Sequence, residues 1–164
     1  MPISFNADEI FEIAQQIERN GARFYRKAAD SIDQPGQARL LRELADMEDN
    51  HLRVFTEMRS RLTQGDNRPT VADPNDEAAL YLQSVANGHV FDVTRDPSDF
   101  LTGLESTRDV LEQALEIEKD SVVFYVGIRE QVPLNLGKNN MSGIIRQELG
   151  HVARLSAELA RMPQ

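Results

Sequence analysis

Apolar residues recur at helical spacing in four long stretches of this chain, and the interruptions between them set its organisation. The first stretch runs from Asn6 to Asp30 and carries Ile10, Phe11, Ala14, Ile17, Phe24 and Tyr25 on one stripe, with Asn6 or Asp8 placed to cap its start. A short connection follows over Ser31 to Gly36, marked by Pro35-Gly36. A second stripe of Leu41, Leu44, Ala45, Leu52, Phe55 and Leu62 then covers about 37–62. Together they predict an antiparallel helical hairpin over residues 6–62.

Thr63 to Pro74 breaks the period with Gly65, Asn67, Pro69 and Pro74. Asp73-Pro74-Asn75 opens a short helix reaching about Ala86, and Gly88 to Asp99 shows no clear period. Residues 63–105 thus read as one long connection with little structure of its own. A second hairpin occupies 106–161, with helices over about Ser106–Glu130 and Met141–Arg161 and a turn around Val132 to Asn140.

The connection decides the topology. A short loop would make the second and third helices antiparallel neighbours, whereas roughly 40 extended residues easily span a 25-residue helix about 37 Å long. Two hairpins joined by one such crossover make an all-α, ferritin-like four-helix bundle, here a single domain over 1–164. Ordinary up-down-up-down connectivity is the alternative.

The two hairpins carry the same chemistry. Ile17-Glu18-x5-Phe24-Tyr25 and Glu48-x-x-His51 recur as Ile117-Glu118-x5-Phe124-Tyr125 and Glu148-x-x-His151, each residue 100 positions after its counterpart. Such a fixed offset points to a duplicated unit. Residues three, four and seven positions away share a helix face. On that rule Glu18 sits among Phe11, Ala14, Gly21, Ala22 and Tyr25, and Glu118 among Leu111, Ala114, Leu115, Ser121 and Tyr125. Nearby Glu116 shares its face with Glu112, Lys119 and Asp120 and points to water. Glu48 and Glu148 also lie on apolar stripes. Within each hairpin the two Glu lie equally far from the turn, so all four reach one level of the bundle, with His51 and His151 projecting beside them.

Four desolvated carboxylates without partners would each cost several kcal/mol or become protonated. Two divalent cations remove that cost, because four negative charges meet four positive ones and each neutral imidazole adds a nitrogen. Oxygen-rich ligation with one nitrogen per metal suits iron or manganese better than zinc. A lone Glu-x-x-His is usually a solvated pair or a satisfied core histidine. With 14 Glu in 164 residues, both chosen His would carry Glu at minus three in roughly 1 case in 100.

Composition narrows the chemistry further. The chain has no Cys, which removes disulfides, thiolate metal sites and Cys-based catalysis. Its net charge of −9, without a Lys/Arg cluster, argues against nucleic acid and anionic membranes as partners. No apolar run is long enough to span a bilayer, and Met1 to Ile10 lacks the pattern of a secretory signal, so a cytoplasmic location is expected.

Several further positions have two readings. Tyr25 and Tyr125 lie two turns beyond Glu18 and Glu118 on the same face; they either fill the core or hydrogen-bond a ligand carboxylate. Mid-helix Gly21 costs about 1 kcal/mol relative to Ala, which room for the site or, in preference, close helix approach would explain. His89 reads as an ordinary loop residue, and Met47 and Met58 as packing residues. The long connection also offers surface for a homodimer.

Glu18, Glu48-x-x-His51, Glu118 and Glu148-x-x-His151 on four helices resemble the ferritin-like di-iron carboxylate superfamily, and the Ile-Glu-x5-Phe-Tyr segments look most like its rubrerythrin branch. The resemblance implies two iron ions, with manganese or zinc as alternatives. It implies Glu18 and Glu118 as terminal ligands, Glu48 and Glu148 as bridges, and His51 and His151 as one ligand each. It also implies reduction of hydrogen peroxide, or reaction with oxygen, beside Tyr25 and Tyr125. Rubrerythrins proper carry a four-cysteine rubredoxin domain, so here the electron donor would be a separate protein. They also carry an extra Glu where this chain has Ser121, and the remaining four-Glu, two-His set equally matches bacterioferritin-type ferroxidase centres.

Overall fold

Four long helices follow from local signals that the chain writes at their ends. The first, α1 (Ala7–Ser31), starts at a reciprocal cap in which Asn6 accepts from the Glu9 backbone N–H and Glu9 accepts from the Asn6 N–H. The second, α2 (Pro35–Ser60), begins at Pro35, whose fixed φ and missing N–H suit a first helical turn. The hairpin turn is therefore shorter than the proline-glycine pair implies, because that pair starts the helix rather than belonging to the loop. In α3 (Thr107–Arg129) Ser106 and Asp109 exchange the same kind of cap. The fourth helix, α4 (Lys138–Arg161), begins three residues before the expected Met141, after Gly137 turns the chain at φ 109°. The computed structural model describes residues 6–62, 80–81, 84–85, 92, 94–129, 132 and 134–163. No strand occurs among them.

Two apolar clusters fill the bundle, one at each end. Ile10, Phe11, Phe55, Phe124, Ile128 and Met141 belong to the first; Phe24, Leu41, Leu44, Val110, Leu111 and Leu155 belong to the second. Following each helix from one cluster to the other gives its direction. Helices α1 and α4 run from the first cluster to the second, while α2 and α3 run the opposite way. Parallel α2 and α3 require a connection that travels the length of the bundle. This is the ferritin-like connectivity, and it excludes the up-down-up-down alternative.

The end of that connection is fastened to α1. Asn20 Nδ2 donates to the Arg95 carbonyl at 3.3 Å, Lys27 Nζ donates to the Ser98 carbonyl at 2.8 Å, and Arg23 pairs with Asp96. Pro97–Phe100 form a single 3₁₀ turn there. Leu80, Tyr81, Ser84 and Val85 are helical, and Tyr81 Oη donates to the Val123 carbonyl of α3 at 2.9 Å. The remainder of the helix expected up to Ala86, the loop over 63–74 and His89 lie outside the described residues. No described helix is long and apolar enough to cross a membrane.

Candidate metal centre

The polar residues of the repeat occupy the level between the two apolar clusters. Glu18 comes from α1, Glu48 and His51 from α2, Glu118 from α3, and Glu148 and His151 from α4. All six are at most 3% exposed. Glu116, by contrast, is exposed on α3 and ion-pairs with Lys119 at 2.6 Å, as its face assignment required.

The six side chains form two overlapping groups. Glu18, Glu48, His51 and Glu148 offer ligand atoms within 4.8 Å of one another, and so do Glu48, Glu118, Glu148 and His151. Glu48 and Glu148 belong to both. The histidine rings stack across the middle with centroids 5.8 Å apart. His51 Nδ1 lies 3.1 Å from Glu148 Oε1 and 3.5 Å from Glu18 Oε2. His151 Nδ1 lies 2.9 Å from Glu148 Oε2, 3.2 Å from Glu118 Oε2 and 3.6 Å from Glu48 Oε1.

Each tyrosine serves the carboxylate of the other hairpin. Tyr25 Oη, on α1, donates to Glu118 Oε1 at 2.5 Å, and Tyr125 Oη, on α3, donates to Glu18 Oε1. Of the two sequence readings the hydrogen-bonding one holds, and the rings are fully buried as well.

Of the two explanations its sequence context offered for Gly21, the structure selects room for the site over the favoured close helix approach. A Cβ there would stand 3.3 Å from Glu48 Oε2 and 3.4 Å from its Cγ, with no neighbouring backbone among the three nearest atoms. The missing side chain makes room for a carboxylate, not for close approach of two helices. Its counterpart Ser121 donates to the Ile117 carbonyl of its own helix at 3.1 Å. Both residues line a cleft of about 480 Å³ between α1, α3 and the end of the connection.

Burial governs the electrostatics. Desolvation holds the Glu18 and Glu48 carboxyls well above their usual range, aided by the charge of Glu148. Burial and the Glu148 charge likewise raise Glu118, to about 8. In Glu148 burial also pushes upward, but the adjacent His151 and His51 imidazoles outweigh it and lower the group to about 2. Burial opposes charge on the two imidazoles. The surrounding carboxylates prevail, raising His51 to about 9 and His151 to about 10.

A buried set of this kind has two ways to balance its charge, protons or cations. Its geometry fits cations. Glu18 Oε2, Glu48 Oε1, both oxygens of Glu148 and His51 Nδ1 are buried without a hydrogen-bond partner among the described residues. Close approach of lone-pair atoms that do not hydrogen-bond to one another is what ligands around a shared ion require. Buried polar atoms are otherwise almost always paired.

One contact was invisible in the repeat. His51 Nε2 meets Gln147 Oε1 at 2.6 Å, across from α2 to α4. No spacing rule links these positions, because the contact is made between helices of different hairpins.

The chain matches known proteins in two ways. A family model described as rubrerythrin matches residues 9–159. A crystal structure of a Thermotoga maritima protein, described provisionally as a ferritin-like diiron-carboxylate protein, superimposes with a TM-score of 0.76 at 21% identity. The match covers 96% of this chain and 97% of that one, and at that identity it speaks for the fold alone. No curated protein sequence matches significantly.

Proposed function

The chain belongs to the rubrerythrin family, and on that premise we propose that its buried cluster holds two iron ions and reduces hydrogen peroxide to water. One observation carries this reading: two four-residue groups share Glu48 and Glu148, and Glu18 Oε2, Glu48 Oε1, both Glu148 oxygens and His51 Nδ1 lack hydrogen-bond partners among the described residues. Glu18 and His51 would hold one ion and Glu118 and His151 the other, with Glu48 and Glu148 reaching both.

When bound, a ferrous pair supplies Lewis acidity and two electrons, the number one peroxide needs, with two protons, to become two waters. The protein's own groups prepare that chemistry. Tyr125 and Tyr25 fix Glu18 and Glu118 through their phenol oxygens. Burial and neighbouring carboxylates raise both phenols well above their usual range, so each keeps its proton. The apolar clusters above and below exclude bulk water. The cleft lined by Gly21 and Ser121, one helical turn from Glu18 and Glu118, is where a small oxidant would approach. An electron donor would restore the ferrous pair, and these 164 residues hold no Cys to serve as one.

A ferroxidase reading draws support from Ser121. Its hydroxyl donates to its own helix backbone, and a serine there supplies no fifth carboxylate. Iron-loaded protein given a reductant and excess peroxide separates the two. Peroxide consumed over many turnovers supports the peroxidase; rapid Fe(II) oxidation without sustained peroxide loss supports the ferroxidase. Inactivity in both assays, with a melting temperature that falls on metal removal, would leave a metal-stabilised binding protein.

A further inference from the structure

Gln147 and Met47 occupy corresponding positions in the two copies of the repeat, one residue before Glu148 and Glu48. They differ in what they can offer an imidazole. The Gln147 amide oxygen accepts a hydrogen bond well, whereas a thioether accepts only weakly.

At His51 the difference fixes the ring. Gln147 Oε1 lies 2.6 Å from Nε2 and holds the ring with Nδ1 turned to Glu148 and Glu18. A ring held in that orientation presents Nδ1 to a metal without rearrangement. At His151 Nε2 is buried and has no hydrogen-bond partner among the described residues. Its Nδ1 faces Glu148 at 2.9 Å and Glu118 at 3.2 Å. The His151 ring is thus held from its Nδ1 side only. An ion at His151 replaces those contacts and leaves the ring without an anchor; at His51 the bond to Gln147 remains.

We propose that Gln147 is a positioning residue that makes the two halves of the cluster unequal, so that the Glu18–His51 half takes up a divalent cation before the Glu118–His151 half. The inference rests on the dinuclear reading above and adds an order of filling to it. Repulsion between two cations also separates binding steps in a symmetric site, so the variants carry the test. Gln147 is exposed, and its replacement leaves the apolar clusters intact.

The experiment titrates metal-free protein with Co(II) alone and follows its absorption bands, which report the ligand set at each step. The chain should bind two ions in two resolved steps. Gln147→Met should weaken the first step about tenfold or more, the usual cost of losing a group that orients a ligating histidine. Met47→Gln should tighten the second step, and the double exchange should restore two resolved steps. A Gln147→Met curve that superimposes on the parent, or that weakens both steps equally, overturns the proposal. Two indistinguishable steps in the parent also overturn it while leaving the dinuclear reading standing; no Co(II) binding removes both.

Discussion

Tyr25 donates its phenol proton to Glu118 across the bundle, at 2.5 Å, and Tyr125 makes the reciprocal bond to Glu18. The crossing ties α1 to α3, so the two hairpins, each holding half of the ligand-type residues, are locked at the level of the cluster. A carboxylate held this way keeps one oxygen occupied and turns the other inward; Glu18 Oε2 is among the unpartnered atoms.

Tyr125→Phe should therefore retain the fold, because ring volume is conserved, while metal affinity falls about tenfold or more as Glu18 gains freedom. Tyr25→Phe should act the same way through Glu118. Equilibrium metal content after dialysis, measured beside the helical circular dichroism signal, checks this. Unchanged content in both variants would reduce the tyrosines to core filling.

The face assignment of two neighbouring glutamates gives a second prediction. Glu118→Ala should lose most bound metal, since it removes a buried group whose atoms lie within the second four-residue cluster. Glu116→Ala should keep full metal content and shift stability by less than about 1 kcal/mol, as expected for an exposed ion pair. Metal analysis of both purified variants decides; equal losses would contradict the geometry.

Much of this was legible in the sequence because helical periodicity is strong when one face is buried. The stripe around Glu18 has apolar residues at nearly every neighbouring position, so its orientation followed without coordinates. The level of the four Glu also followed, because distance from a turn translates directly into distance along a helix. Contacts between hairpins were beyond that logic. The crossed Tyr25–Glu118 bond and the Gln147–His51 bond depend on how two helices are rotated against each other, which no spacing within one helix encodes. Pro35 illustrates a local ambiguity: the same residue favours a turn and a helix start, and packing of the hairpin chose the second. The fastening of Arg95, Asp96 and Ser98 to α1 was equally hidden, since it uses single polar contacts rather than a repeating pattern.

Gly21 separates helix stability from site function. Gly21→Ala removes the entropic penalty of a mid-helix glycine, about 1 kcal/mol, but its methyl group would press on Glu48 at 3.3 Å. In metal-free protein Glu48 can shift by a few tenths of an ångström. With Glu48 held between two ions it cannot. The variant should therefore melt at the same temperature or slightly higher without metal, and bind metal more weakly than the parent. Thermal melting of both forms is the check; a variant that binds metal as tightly as the parent would show that Glu48 has slack.

Metal removal should destabilise the protein more as pH rises. In the metal-free state His51 and His151 titrate near 9 and 10 and Glu118 near 8, all above their unfolded values of about 6.5 and 4.3. A raised folded value contributes stability that is complete below the unfolded value and lost as pH climbs through the folded one. The histidine contribution therefore disappears between about pH 6.5 and pH 10, and the Glu118 contribution between about pH 4.3 and pH 8. Glu148, lowered to about 2, has the opposite sign and acts only in acid, outside this window. Bound cations replace those protons, so the loaded protein should escape the loss. The gap in melting temperature between loaded and metal-free protein should thus widen by roughly 5 °C or more from pH 6 to pH 9. Calorimetry at the two pH values tests it, and a gap that stays constant would mean that protons do not stand in for metal in the empty cluster.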